Sequence, residues 1–386
     1  MIFRQRPCRA LSCWLIGSGL HWLTAITGIT YHATPVSARM LMDFQQHIPT
    51  TPLLDCDGRS LADILPEKTE PSDLVWDPIK QQLYLVSDNG HLVIVGLTTQ
   101  QPTSSGDSPQ SPPYFKLIDK IKVKHKPDLE GVAFIPSSPD YVYLGVESPA
   151  EVLEFHIPSQ TITSKVSLVE YINSTPLNSQ DHPQEVQPNQ GIESLVYIPA
   201  KDPLHHPGYI VAGRQQDARL FVFEILSHSN APSTSSSSDS SGFQMKFLGT
   251  AYAPGPLVDL SAMTFWKDRI WLLYDKPKQM HALHLTKFYE SLSSFDPQTV
   301  VSYTASDETN DLEPSKDVGV FSFDVRGQEG IVFAENVDLG SSNGKSTVVF
   351  VAIDAPHKTG RKDLLMFPLE TFFACFSSRG ISGLPT

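Results

Sequence analysis

Five short stretches of this chain share one pattern of apolar and polar positions. In register they read Ser72-Asp73-Leu74-Val75-Trp76, Glu130-Gly131-Val132-Ala133-Phe134, Glu193-Ser194-Leu195-Val196-Tyr197, Ser261-Ala262-Met263-Thr264-Phe265 and Glu329-Gly330-Ile331-Val332-Phe333. Each opens on Ser or Glu and closes four residues later on an aromatic ring, with steps of 58, 63, 68 and 68 between first residues. A second apolar run follows each copy and ends in a polar cluster: Gln82–Val86 before Asp88, Tyr141–Gly145 before Glu147, Tyr209–Gly213 before Arg214, Arg269–Leu273 before Asp275 and Lys276, and Thr347–Ile353 before Asp354. A third run closes each unit, at 91–97, 151–157, 219–225, 279–285 and 362–368.

These runs have the length of strands, are rich in β-branched and aromatic residues, and are bounded by turn formers. Three or four such strands make a small sheet with two apolar faces, which one repeat cannot hide alone. Stacking the copies radially into a closed ring leaves no end face exposed. The pattern therefore predicts an all-β fold, a single β-propeller of five repeats, with six blades as the alternative count. A β-sandwich also uses many short strands but does not explain a fivefold recurrence of one motif. The period exceeds the roughly 40–50 residues of common propeller repeats. The excess lies in loops such as 103–113 and the Ser-rich insertion at 227–241.

The ends of the chain carry other signals. Arg4, Arg6 and Arg9 precede an apolar stretch from Leu11 to Ile29, and Val36-Ser37-Ala38 supplies small residues for cleavage, so residues 1–38 read as a secretory leader. The alternative is a retained N-terminal membrane anchor. The expected location is export to the periplasm, the cell envelope or the medium, with no membrane span in the mature chain. Residues 39–70 precede the first copy and are expected to close the ring by completing the last blade, which leaves 71–370 as the propeller and 371–386 as a tail.

Composition narrows the partners. The chain of 386 residues has 29 Lys and Arg against 42 Asp and Glu, a net charge of −13. Loss of the leader removes three cations and no anion, giving −16. Such a surface is unsuited to nucleic acid, and a monomer with a small-molecule or protein partner is the expectation. Cys8 and Cys13 lie in the leader, so the mature chain keeps Cys56 and Cys375. In an exporting pathway these are expected to form one disulfide, with ring closure bringing them together; the alternative is two buried, reduced cysteines. Asn173-Ser174-Thr175 is a glycosylation sequon in a eukaryotic host.

The ordered series Ser, Glu, Glu, Ser, Glu, with Leu129-Glu130-Gly131 and Gln328-Glu329-Gly330-Ile331, resembles the SdiA-regulated protein family. Through Ser72-Asp73-Leu74 and Ser87-Asp88-Asn89 the chain is also similar to the broader esterase-like phytase domain family. The resemblance covers residues 70 to 370. It implies an exported propeller, with a cation or small-ligand site near the axis in some members, and no settled reaction. This chain departs from the pattern at Ser194, where Gly is usual, and at Arg214, where other units carry an acid.

First strands line the axis of a propeller, so Glu130, Glu193 and Glu329 are expected around one channel mouth. Asp88, Glu147, Asp275 and Asp354 should join them from neighbouring loops, with Arg214 and Lys276 as anion-contacting cations. Two ionised carboxylates about 8 Å apart repel by roughly 2 kcal/mol at an effective dielectric near 20. Relief comes from raised pKa values, from the two cations, or from a bound hard cation such as Ca²⁺. The structural alternative is that each Glu accepts backbone N–H bonds from the next blade. Ser72 and Ser261 lack a Gly-x-Ser-x-Gly elbow, and His205-His206 is a lone pair in a Pro-flanked loop. Three function classes follow: a non-catalytic binding protein, a metal-dependent esterase or phosphoesterase, and a protein-interaction scaffold.

Overall fold

In the computed structural model the chain is built from five sheets arranged as a five-bladed β-propeller. The structure describes residues 58–67, 69–98, 114–174, 191–203, 206–227, 242–303, 321–322, 327–339, 345–354 and 362–378. The expected leader, Cys56, His205 and nearly all of the two loop insertions lie outside them.

Each sheet is a meander running from the axis outward. Blade 1 consists of Pro71–Asp77, Gln82–Ser87, His91–Thr98 and Tyr114–Lys122. Blade 2 consists of Leu129–Ala133, Tyr141–Val146, Glu151–His156 and Thr161–Ser167. Blade 3 has Ile192–Ile198, Tyr209–Arg214, Arg219–Ser227 and Gln244–Tyr252, with Val300–Ser302 added in parallel at its edge. Blade 4 has Leu260–Trp266, Arg269–Tyr274, Gln279–His284 and Phe321–Ser322. Blade 5 runs Gln328–Val337, Ser346–Asp354 and Lys362–Pro368. Its fourth strand is Arg59–Ser60, pairing antiparallel with Arg59 opposite Met366 and Ser60 opposite Leu365. Ser60 Oγ donates to Asp363 Oδ1 at 2.8 Å beside that pairing.

The apolar alternation of these strands produces five separate cores, each shared by two successive blades. Val86, Leu92 and Tyr84 of blade 1 pack against Leu129, Val142 and Leu144 of blade 2. Equivalent layers join blades 2 and 3, 3 and 4, and 4 and 5. The fifth layer sets Leu74, Trp76 and Leu85 of blade 1 against Val332, Phe350 and Leu364 of blade 5. No blade therefore presents a bare apolar face, which is the physical reason for the ring. The C-terminal tail begins as a helix, Leu369–Ser378, whose Phe372 and Cys375 are buried in the layer between blades 4 and 5.

Candidate functional site

The five first residues of the repeat occupy one structural position. The pairing of every inner strand with its neighbour slips at that residue: between Pro71 and Asp73, Leu129 and Gly131, Ile192 and Ser194, Leu260 and Ala262, and Gln328 and Gly330. An extra residue in a strand is left out of the ladder and its side chain is re-aimed. Ser72, Glu130, Glu193, Ser261 and Glu329 are those extra residues, one from each blade.

The next position forms a tight collar. It holds Asp73, Gly131, Ser194, Ala262 and Gly330, and a methyl group added at Gly131 would stand 2.7 Å from the backbone N of Leu195. Asp73 is fully buried here. Its Oδ1 accepts from Leu74 N at 2.8 Å, and its Oδ2 accepts from Val132 N at 3.0 Å and from Ser194 Oγ at 3.4 Å. Ser194 Oγ in turn accepts from Met263 N at 2.7 Å. One carboxylate and one hydroxyl thus link blades 1 to 4 across the axis. Burial pushes the Asp73 carboxyl up, against the opposing pull of the groups that donate to it. Asp73 was not among the residues expected to form a site; its signal was being the one acid in a column otherwise filled by Gly, Ser and Ala.

Above the collar the acids gather. Burial raises Glu130 well above the usual carboxylate range, and the neighbouring charges of Glu193 and Asp128 add to it, while the Ser72 hydroxyl favours its ion. Glu193 is raised by burial and then by Glu329, Glu147, Asp128 and Asp259. Glu329 is pushed up to about 8 by burial, with Asp275, Asp354, Asp259 and Asp88 contributing. Asp88 reaches about 7 through burial and its hydrogen bond with Glu70. The mouth therefore combines the three bulge glutamates with Asp88, Asp275, Asp354, Glu147, and with Glu70, Asp128 and Asp259, which the repeat register alone did not single out.

The members play different parts. Glu147 Oε1 accepts from Gly191 N at 3.0 Å, tying blade 2 to blade 3. Asp275 Oδ1 accepts from Gly327 N at 2.7 Å and Gln328 N at 3.2 Å, tying blade 4 to blade 5. The backbone-tying role considered for the bulge glutamates is thus filled by acids one strand further out. Glu193 is only 7 % exposed, and no described residue donates a hydrogen bond to it. Arg214 is buried within blade 3, where its guanidinium grips Asp217 and lies 5.6 Å from the centre of the Phe221 ring. Lys276 Nζ sits 2.7 Å from Asp259 Oδ1 with its side chain 78 % exposed. Asn173 lies in the short helix Val169–Ser174, remote in sequence from every bulge. Ser72 and Ser261 hydroxyls donate weakly to main-chain carbonyls of Glu70 and Leu273. Among the described residues, no three His, Cys, Asp or Glu side chains are grouped so as to hold one metal ion.

No protein-family model matches the chain, and no curated protein matches its sequence. Solved structures similar to it include the structure of U3-55K, at 9 % identity and TM-score 0.35, covering 81 % of this chain and 64 % of that one. The crystal structure of the RRP9 WD40 repeats matches at 10 % identity and TM-score 0.34, covering 80 % and 66 %. Kuenenia stuttgartiensis hydrazine synthase matches at 8 % identity and TM-score 0.34, covering 79 % and 67 %. The chain spans about two thirds of the length of each. These likenesses are remote, and the propeller architecture rests on the five sheets themselves.

Proposed function

We propose that this protein is an exported, non-catalytic binding module whose acidic axial mouth takes a cationic ligand. The observation that carries this reading is Glu193: a carboxyl that is 7 % exposed, receives no hydrogen bond from a described residue, and has four acidic neighbours acting on it. A buried carboxylate without partners is costly, and an incoming positive charge relieves both its desolvation and its repulsion. The oxygen donors have the hardness that Ca²⁺ prefers. They are not preassembled as a metal cage among the described residues, so an ammonium or guanidinium group, spreading its N–H donors over several carboxyls, fits the mouth better.

Because burial and neighbouring acids hold the carboxyls of Glu130, Glu193 and Glu329 above the usual carboxylate range, cation binding should release protons from them. Calorimetric titration with spermidine and with Ca²⁺, in two buffers of different ionisation heat, tests the reading. The expected result is proton release with binding that tightens between about pH 6 and pH 8.5, and roughly tenfold weaker binding in Glu193→Gln, the scale of one lost charge contact. Absence of any cation-dependent heat across that range, in folded protein, refutes it.

A further inference from the structure

The opposite end of the axis has a different chemistry. Below the Asp73 collar the inner strands enclose a cavity of about 550 Å³. Its volume lies within the roughly 300–1,000 Å³ of small-molecule sites. All five blades contribute to it. Leu74, Val132, Leu195 and Met263 line it next to the collar, and the closing aromatics of the repeat, Trp76, Phe134, Tyr197, Phe265 and Phe333, line it further out.

The polar handles of these rings are already used. Trp76 Nε1 donates to the carbonyl of Glu335 at 3.1 Å, and Trp266 Nε1 donates to Glu335 Oε1 at 2.9 Å. Tyr197 Oη donates to the carbonyl of Pro207 at 2.8 Å. Trp266 is stacked on Phe333 at 4.5 Å between centroids and 12° between planes, and Lys267 Nζ lies 4.3 Å from the Trp266 ring centre. Trp76, Tyr197, Trp266 and Phe333 are therefore held in place before anything binds. Their donors face protein acceptors, and the one nearby ammonium rests on an aromatic face. Next to the collar, at Leu74, Val132, Leu195 and Met263, a ligand meets aliphatic side chains with no charged group among them, while the charged lining residues Lys267 and Glu335 are both engaged with Trp266.

From this we infer that the cavity is a second ligand site, independent of the acidic mouth, that accepts an uncharged, largely apolar ring compound between the aromatic ends of the five inner strands. Preorganised rings lose little freedom on binding, so affinity would come from apolar surface removed from water. The Thr264 hydroxyl is the polar group among the lining residues best placed by burial, at 6 % exposure, to orient a single ligand oxygen or nitrogen.

The neutral fluorophore N-phenyl-1-naphthylamine is a suitable probe, because Trp76 and Trp266 line the cavity and would transfer excitation to it. The expected result is saturable, one-site enhancement of the probe with matching quenching of tryptophan. Val75→Trp, which adds bulk to a lining position, should weaken binding about tenfold or more, and so should Ser137→Trp at the exposed rim. Two filling variants guard against one that fails to fold, with circular dichroism confirming the ring in each. Binding should be unchanged in Glu193→Gln and by spermidine. The anionic analogue 1-anilinonaphthalene-8-sulfonate should bind more weakly than the neutral probe. Non-saturable enhancement, equal binding by both folded filling variants, preference for the sulfonate, or loss of binding in Glu193→Gln would each overturn the inference.

Discussion

The carboxylate of Asp73 in the first blade accepts a hydrogen bond from the backbone N–H of Val132 in the second, at 3.0 Å, with both residues buried. The same side chain reaches Ser194 of the third blade, so a single acid at the axis serves as a common acceptor for strands distant in sequence. Removing it strands several buried donors at once. Asp73→Ala should lower unfolding stability by about 3 kcal/mol or more, since each orphaned buried donor costs roughly 1–3 kcal/mol. Asp73→Asn keeps one acceptor oxygen and should lose less. Urea denaturation of the three proteins checks the ranking; equal stability of Asp73→Ala and the parent would show that the collar does not depend on this carboxyl.

The acidic mouth sets a direction for pH dependence. Glu329 is raised from an ordinary value of 4.5 to about 8, and Asp88 from 3.8 to about 7. The folded chain therefore binds more protons than the unfolded chain between the two values of each group. Stability from these groups is fully present below the unfolded values and is lost as pH climbs toward about 8. Thermal midpoints measured without added cation should fall across that window. Glu329→Gln should flatten the fall, and a midpoint that rises from pH 5 to pH 8 would contradict the assignment.

Crowding at the collar makes a second kind of variant informative. A methyl group at Gly330 would lie 2.4 Å from Leu74 Cδ2 and 3.1 Å from Asp73 Cα. Gly330→Ala is expected to destabilise by about 1–3 kcal/mol through overpacking. Gly242→Ala, where the nearest atom stands 3.3 Å away at the outer edge of blade 3, should be far milder. Comparison of their denaturant midpoints checks that the axis is the tighter place.

The cysteines give a prediction about the ends. Arg59–Ser60 sits against the last long strand of blade 5, and Cys375 is buried on the helix that follows that strand. Cys56 precedes Arg59 by three residues and lies outside the described residues. A Cys56–Cys375 disulfide is expected, closing a loop of roughly 320 residues worth up to about 5 kcal/mol in the chain-entropy account. Peptide mapping without reductant should recover the linked pair from exported protein; two free thiols would disprove it.

Export itself is tested at the N-terminus. Protein recovered from outside the cytoplasm should begin after Ala38, the end of the Val36-Ser37-Ala38 motif. A mature chain that still carries Leu11–Ile29 would point to the anchor.

Most of the ring was legible because its first strand is repeated with the same ends. Ser or Glu opens each copy and an aromatic closes it, and these become the two mouths of one axis. The bulge at each opening residue was not legible, because a slipped pairing leaves the residue types unchanged and alters only the backbone partner. Asp73 is not legible for the opposite reason: it is the one acid in a column of Gly, Ser and Ala, so the repeat gives no second copy to mark it. The sequence also could not say which acids would meet a backbone N–H. Glu147 and Asp275 do so because their turns abut the start of the next blade, a neighbourhood that exists only once the ring has formed. Residues 371–386 carry no repeat and are expected only as a tail, yet Phe372 and Cys375 fill the layer between blades 4 and 5.

The division of the hydrophobic interior into five shared layers has a consequence for how the molecule comes apart. Every layer is owned jointly by two blades, so lifting out any one blade opens two layers at once and leaves its neighbours wet. Partial unfolding from an end is thereby penalised as heavily as unfolding from the middle, unlike in an open stack whose terminal unit can fray. Heat should find no intermediate missing a single blade, and all five sheets should melt together as one cooperative unit.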